Sequence, residues 1–181
     1  MDTLLILKAL ILGLVEAASE FLPISSTGHL IIVGDFLAFT GPRAETFEIF
    51  IQLGAILAVV WIYRTRIRRT VLHAGHDSQA RRMLVNLAIA FTPAAALGFL
   101  LHGYITRYLF NPVSVAVALV LGGVAILLIE RFARASRVLA VDDMSWKDAL
   151  WVGIAQSVAL FPGVSRSGAT IMGGMLSGMS R

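Results

Sequence analysis

Leu22-Pro23-Ile24-Ser25-Ser26-Thr27-Gly28-His29 and Phe161-Pro162-Gly163-Val164-Ser165-Arg166-Ser167-Gly168 are two versions of one phrase. Each runs from an apolar residue through a proline to a cluster of hydroxyls and a glycine, and each interrupts a hydrophobic stretch. Hydroxyls, Pro and Gly are costly inside a bilayer unless the irregular backbone is buried in protein or lines a cavity. Paired breaks in the two halves of a membrane protein point to a site at a repeat interface. Arg166, the arginine in such a break, predicts that the site holds an anion.

The surrounding composition supports a bilayer setting. Of 181 residues, 57% are hydrophobic and 14% charged, and the mean hydropathy is +0.82. That is the profile of an all-α polytopic membrane protein, read as a single integral membrane domain over 1–181. The formal charge of +4 comes mainly from loop arginines, so it reports topology and not nucleic-acid binding. The absence of cysteine excludes disulfides, thiolate chemistry and Cys-based metal sites. Met1-Asp2-Thr3-Leu4 has no basic n-region or cleavage signal, so no removable signal peptide is expected. Met179-Ser180-Arg181 stops where a loop should begin, which reads as a fragment.

Three stretches read as spans: Phe47 to Tyr63, Leu84 to Leu101 and Val113 to Ile129. At about 1.5 Å per residue they fall only slightly short of the ~30 Å hydrocarbon core. Arg64, Arg66, Arg68, Arg69, Arg81 and Arg82 flank the first connection, and Arg131, Arg134 and Arg137 follow the third span. His102 to Pro112 carries only Arg107. The positive-inside rule then makes 64–82 and 131–147 cytoplasmic, with 40–46 and 102–112 outside.

Residues 1–39 and 147–180 are too broken to cross once and too short to cross twice. Both read as re-entrant helix-loop-helix hairpins, the first with a short helix from His29 to Phe39. One dips in from outside and the other from the cytoplasm, giving inverted-topology repeats, the second incomplete, whose loops meet near the midplane. The alternative is two ordinary spans, each kinked at its proline.

The chemistry-bearing residues gather at these breaks. Glu16 and Glu20 are four apart, on one helix face in apolar surroundings. Intramembrane carboxylates usually face a cavity or a partner. The pair reads as a metal site or an acid/base pair, against a structural ion pair with Arg166 or Lys8. Carboxylate oxygens suit Mg²⁺ or Ca²⁺, and Mg²⁺ commonly completes its shell with substrate phosphate. Ser25, Ser26 and Thr27 precede one helix; Ser165, Arg166 and Ser167 precede another. Helix N-termini, hydroxyls and a guanidinium together favour phosphate, whereas capping alone explains one or two hydroxyls per loop. His29 reads as a proton donor or acceptor. Thr170 reads as a phosphate donor or a cap. Glu48 and Gln52, four apart on a span, read either as support behind the site or as hydrogen bonders to a neighbouring helix, the second being favoured. His73, His76 and His102 read as solvated or structural.

The motif Glu16-Ala17-Ala18-Ser19-Glu20-Phe21 running into Leu22–His29, and Pro162–Gly168 continuing into Ala169-Thr170, resemble the bacterial undecaprenyl-pyrophosphate phosphatase, or bacitracin-resistance, family. Phe47-Glu48, Ile51–Val59 and Pro93-Ala94-Ala95 support the resemblance, which covers essentially the whole chain. Ala17 and Ser19 depart from the family's usual glycine and threonine, and family members continue with further spans. The resemblance implies hydrolysis of undecaprenyl diphosphate to the monophosphate and phosphate, recycling the carrier lipid for cell-wall glycans and giving bacitracin resistance. It also implies a divalent cation, Mg²⁺ or Ca²⁺, on Glu16 and Glu20. Ser26 and His29 then match the family's proposed nucleophile and acid/base, with a metal-activated water as the competing mechanism, and Ser165, Arg166 and Thr170 match its phosphate-binding motif. The implied setting is a multi-pass protein of the bacterial inner membrane whose site faces outward. Partners are the polyprenyl diphosphate, membrane lipids and, as an open question of assembly, a second copy.

Two other functions compete. A small anion transporter would share the broken helices, but needs fewer reactive groups. A phosphatidic-acid-phosphatase-type enzyme would share Ser-Arg and Gly-His elements, but requires a second histidine after Ser165-Arg166 that is not found before Arg181.

Overall fold

The computed structural model describes residues 3–109, 111–132 and 136–180; Arg134, used above to orient the third span, lies outside them. The regular elements among the described residues are helices: α1 (Thr3–Ser19), α2 (Ser26–Phe36), α3 (Pro42–Ile62), α4 (Arg64–His73), α5 (Ser78–Tyr108), α6 (Pro112–Phe132), α7 (Trp146–Ser157) and α8 (Arg166–Leu176). Short 3₁₀ turns lie at Val141–Asp143 and Val158–Leu160.

Among the described residues, α3, α5 and α6 are the three helices long and apolar enough to cross a bilayer. Each extends beyond the span expected from sequence. The 31-residue α5 shows why. Asp77 caps it, accepting from the Gln79 amide at 2.8 Å, and polar helix formers such as Gln79 and Arg81 carry it past the apolar segment. Pro93 does not end α5. In the turn before it, Gln156 of α7 donates to the Ala90 carbonyl at 3.2 Å, tying this stretch of α5 to the neighbouring helix.

The connection after α3, expected as a loop, contains α4. Ile67 and Val71, four apart, make a narrow apolar stripe on an otherwise arginine-rich turn, and arginine favours helix. The guanidinium of Arg64 stacks on Trp61, 4.5 Å from the ring centre.

A polar staple joins α4 and α5 to the segment entering α7. Arg66 pairs with Asp142 at 3.0 Å, Arg82 donates to the Asp142 carbonyl at 2.6 Å, and buried Asn86 donates to the Met144 carbonyl at 2.7 Å. Asn86, a polar interruption in the second span, is thereby satisfied. Beyond the staple, α7 lies hard against α5: a Cβ on Gly153 would sit 2.4 Å from the Ala90 carbonyl oxygen. Trp151 of α7 donates to the Gly173 carbonyl of α8 at 3.1 Å.

The buried core is small, with Leu12, Leu30, Ala149 and Ala169 among its members. Many large apolar side chains point outward, Phe99 at 87% exposure and Leu127 at 69%. Exposed apolar surface on that scale belongs against lipid. The protein is an all-helical membrane protein, and it contains two shorter helix-loop-helix pairs, α1–α2 and α7–α8.

Candidate active site

The first loop begins where α1 ends. The Glu20 amide donates to the Glu16 carbonyl at 2.9 Å, so helical geometry persists to Glu20 and stacks the two carboxylates on one face. The chain then turns sharply at Ser25, whose φ of 64° lies in the left-handed region. Such a conformation costs a non-glycine residue on the order of 1–3 kcal/mol. Ser25 caps α2, with its side chain accepting from the Gly28 amide.

That turn brings Ser26 back over α1, where its hydroxyl hydrogen-bonds to the Glu20 carboxylate. Glu16 is only 2% exposed, and neither of its carboxylate oxygens has a hydrogen-bond partner among the described residues. His29 turns elsewhere. Its Nδ1 lies 2.8 Å from the Ser25 carbonyl, which can only accept, so Nδ1 carries the proton. The sequence reading paired Ser26 with His29; the geometry pairs Ser26 with Glu20.

The second loop is built around Gly163, at φ 91°, where a Cβ would meet the Val115 carbonyl oxygen of α6 at 2.7 Å. Ser165 caps α8 in ordinary extended geometry, accepting from the Gly168 amide at 3.1 Å. Ser167 donates to the Leu22 carbonyl of the first loop at 2.8 Å and lies 2.9 Å from Ser165. The two loops therefore touch. Thr170 donates to the carbonyls of Arg166 and Ser167 at 3.1 and 2.9 Å, within its own helix. Arg166 makes no hydrogen bond or ion pair among the described residues, so the structural ion pair with Glu16 or Glu20 does not form.

Two connected spaces result. A polar pocket of about 70 Å³ is lined by Glu20, Ser25, Ser26, Thr27, Gln52, Ala159, Val164, Ser165 and Arg166. Its size suits one small oxyanion. Beside it lies a mostly apolar cavity of about 1290 Å³, walled by Leu30, Ile31, Ile32, Phe36, Phe39, Ile49, Ile105 and Leu160, with Glu16, Ser26 and Thr27 at one end. Ser26, Thr27, Gln52 and Ala159 line both.

Of the residues expected at the site, Glu16, Glu20, Ser25, Ser26, Thr27, Ser165 and Arg166 face these spaces. His29, Ser167 and Thr170 line neither; they hold the loops. Asp35, Glu48, Gln52 and His102 line the large cavity; the sequence reading favoured a bond to a neighbouring helix for Glu48 and Gln52 over a place behind the site, and took His102 as solvated or structural. The signal for two of them was present: Glu48 and Gln52 lie one turn apart on a helix that is otherwise apolar there.

The family model for "Bacitracin resistance protein BacA" matches residues 9–181. The undecaprenyl-diphosphatase of Nitrosomonas europaea is 57% identical over 181 residues, all of this chain and 66% of that protein. Undecaprenyl-diphosphatase 1 of Stutzerimonas stutzeri is 55% identical over the same length, again 66% of it. That of Methylobacillus flagellatus is 54% identical over 186 residues, covering 69% of its length. The chain thus spans about two thirds of the length of the curated relatives it matches. With the family model matched over nearly all of it, and both loops of the site inside the match, the chain belongs to the bacitracin-resistance protein BacA family.

Proposed function

We propose that this chain carries the catalytic site of an undecaprenyl-diphosphate phosphatase, releasing phosphate and returning the monophosphate carrier lipid to cell-wall synthesis. The observation that carries this reading is the Arg166 guanidinium, without a partner among the described residues and facing a phosphate-sized pocket that also holds the Ser26–Glu20 pair. The adjoining apolar cavity gives a polyprenyl chain a place beside that pocket. The names of the 57% and 55% identical relatives support the same substrate.

In this mechanism Arg166, Ser165, Ser25 and Thr27 bind the terminal phosphoryl group. Ser26 attacks it while Glu20 takes the hydroxyl proton. The bond from phosphorus to the bridging oxygen breaks, and that oxygen leaves with the lipid monophosphate. Water then hydrolyses the phosphoserine, returning the proton to Ser26. Direct attack by water, with Glu20 as its base, is the competing route. His29 acts through the Ser25 carbonyl, holding the strained turn. Ser167 and Thr170 shape the Arg166 loop.

Glu16 and Glu20 fit a divalent cation. Buried carboxylate oxygens without partners are expensive, and Glu16, which lines the large cavity beside the phosphate-sized pocket, has two of them without a partner among the described residues. Glu16 and Glu20 would hold such a cation with substrate phosphates completing its ligands, the donor set that suits Mg²⁺ or Ca²⁺. Bound there, the cation would neutralise diphosphate charge. In the full-length protein carrying this chain, phosphate release from undecaprenyl diphosphate should stop with excess chelator and return with Mg²⁺ or Ca²⁺. Activity untouched by chelator rejects the metal pair; no phosphate release at all rejects the phosphatase reading.

The α1–α2 and α7–α8 pairs are re-entrant hairpins of opposite orientation in the inner membrane, each opening one repeat, with the site facing outward. Support comes from the arginines of α4, residues 64–73, and from contact between the two loops. In intact cells, cysteines replacing Arg43 and Arg107 should react with an impermeant thiol reagent, whereas one replacing Arg68 should not. Labelling of Arg68→Cys from outside reverses the orientation.

A further inference from the structure

Among the described residues, Gln52 is the one polar side chain outside the two loops that lines both the small polar pocket and the large apolar cavity. It sits on α3, one turn from Glu48, and is half-buried. Its carboxamide makes no hydrogen bond among the described residues, so it does not serve as a bond to a neighbouring helix. An amide left without partners on an otherwise apolar helix is unfavourable. It offers two N–H donors at the junction.

A prenyl diphosphate laid across these spaces has three parts in fixed order: chain, inner phosphate, terminal phosphate. The chain needs the apolar cavity. The terminal phosphate needs Arg166, which lines only the small pocket. The inner phosphate then falls at the junction.

We propose that Gln52 binds the inner phosphate, the one that stays on the lipid, so that the site distinguishes a diphosphate from a lone phosphate. The inference rests on the phosphatase reading. Cleavage breaks the bond between the terminal phosphorus and the bridging oxygen, and the electron pair goes to that oxygen. Negative charge therefore grows on the inner phosphate, where a neutral N–H donor stabilises it without holding the product as strongly as a second arginine would. The product monophosphate keeps the same phosphate, and hence the same contact. Inorganic phosphate, the other product, does not use it.

The test separates the two phosphates by ligand. In the full-length protein, Gln52→Met keeps the side-chain length and removes the donors. KM for farnesyl diphosphate and the inhibition constant of farnesyl monophosphate should both rise about tenfold, the scale of one lost hydrogen bond to a charged group. Inhibition by inorganic phosphate should be unchanged. Gln52→Glu should weaken the monophosphate more than Gln52→Met, through like-charge repulsion. The inference is overturned if Gln52→Met shifts inorganic phosphate as much as farnesyl monophosphate, or shifts neither. Calorimetric binding of the same ligands applies the same criteria without turnover. An inactive wild-type protein therefore rejects the phosphatase reading alone, while the binding pattern still decides Gln52. If Gln52→Met fails to fold, Gln52→Glu decides alone: an unchanged monophosphate affinity overturns the inference.

Discussion

The two hairpins use nearly the same words and build different things. In the first, the capping serine, Ser25, is held at a φ of 64°, and the next hydroxyl is thrown back onto Glu20. In the second, the capping serine, Ser165, is relaxed at φ −69°, and the hydroxyls of Ser165 and Ser167 reach across to the Leu22 carbonyl. The first hairpin carries a buried carboxylate with no partner among the described residues, Glu16; the second carries a buried carboxylate fully engaged, Asp148. A strained serine and a buried carboxylate without a partner among the described residues stand on the first side, and the cross-loop clamp and the Arg166 guanidinium on the second. A repeated sequence thus divides labour: the first loop presents reactive groups, and the second clamps it and offers Arg166.

The sharpest way to break this comparison is to remove equivalent groups from the two loops. Ser26→Ala and Arg166→Ala should each lower turnover by about 10³-fold, the upper scale for losing one preorganised contact to a transition state. Arg166→Lys should be impaired as well, because a point charge does not replace the guanidinium fork. Ser26→Ala with Glu20→Gln should be strongly non-additive, since the two act as one unit. Ser167→Ala removes a hydroxyl from the second loop, yet it should cost only about 1 kcal/mol of stability, the worth of its bond to Leu22, and leave most turnover in place. Phosphate-release kinetics with thermal unfolding of each purified variant give both numbers. If Ser167→Ala is as inactive as Ser26→Ala, the loops do not divide labour.

The sequence exposed the loops because they violate their surroundings: prolines and hydroxyls amid apolar residues are visible without coordinates. The three spans were legible for the converse reason, their apolar runs being broken only by single polar residues or one proline. What composition hides is direction. Whether Ser26 faces Glu20 or His29 depends on the turn at Ser25, and a positive φ at serine leaves no mark in a residue string. Ser167 and Thr170 look like phosphate donors by type, but their hydroxyls are taken by backbone carbonyls. Helix α4 was missed because six arginines in and after it read as a loop, while its apolar stripe is only Ile67 and Val71. Gln52 was seen and given the ordinary role, since a glutamine in a span usually bonds its neighbour; only the shape of the two spaces shows that it faces both.

The smallest expected effect lies at the foot of the second hairpin, outside the three spanning helices, and it sharpens the contrast with Glu16. Asp148 is 3% exposed. Burial alone would raise its pKa, but hydrogen bonds from the Ser145 hydroxyl and amide and from Arg137 overcome this and hold it below the usual carboxylate range. A carboxylate whose folded pKa is depressed adds stability at pH values above its unfolded pKa, and that stability is lost as pH falls through the folded value. Asp148→Asn keeps the shape and one acceptor, so at neutral pH it should cost about 1–2 kcal/mol, the scale of weakened charged hydrogen bonds. Arg137, with a side chain 58% exposed, can hydrate when its partner is neutral, which limits the loss. The gap between wild type and Asp148→Asn should close as pH is lowered through the acid range. Thermal unfolding followed by Trp146 and Trp151 fluorescence, at several pH values in one detergent, reads this directly. A gap that stays constant with pH would mean that Asp148 acts by shape and capping, and that its charge contributes nothing to holding the clamp.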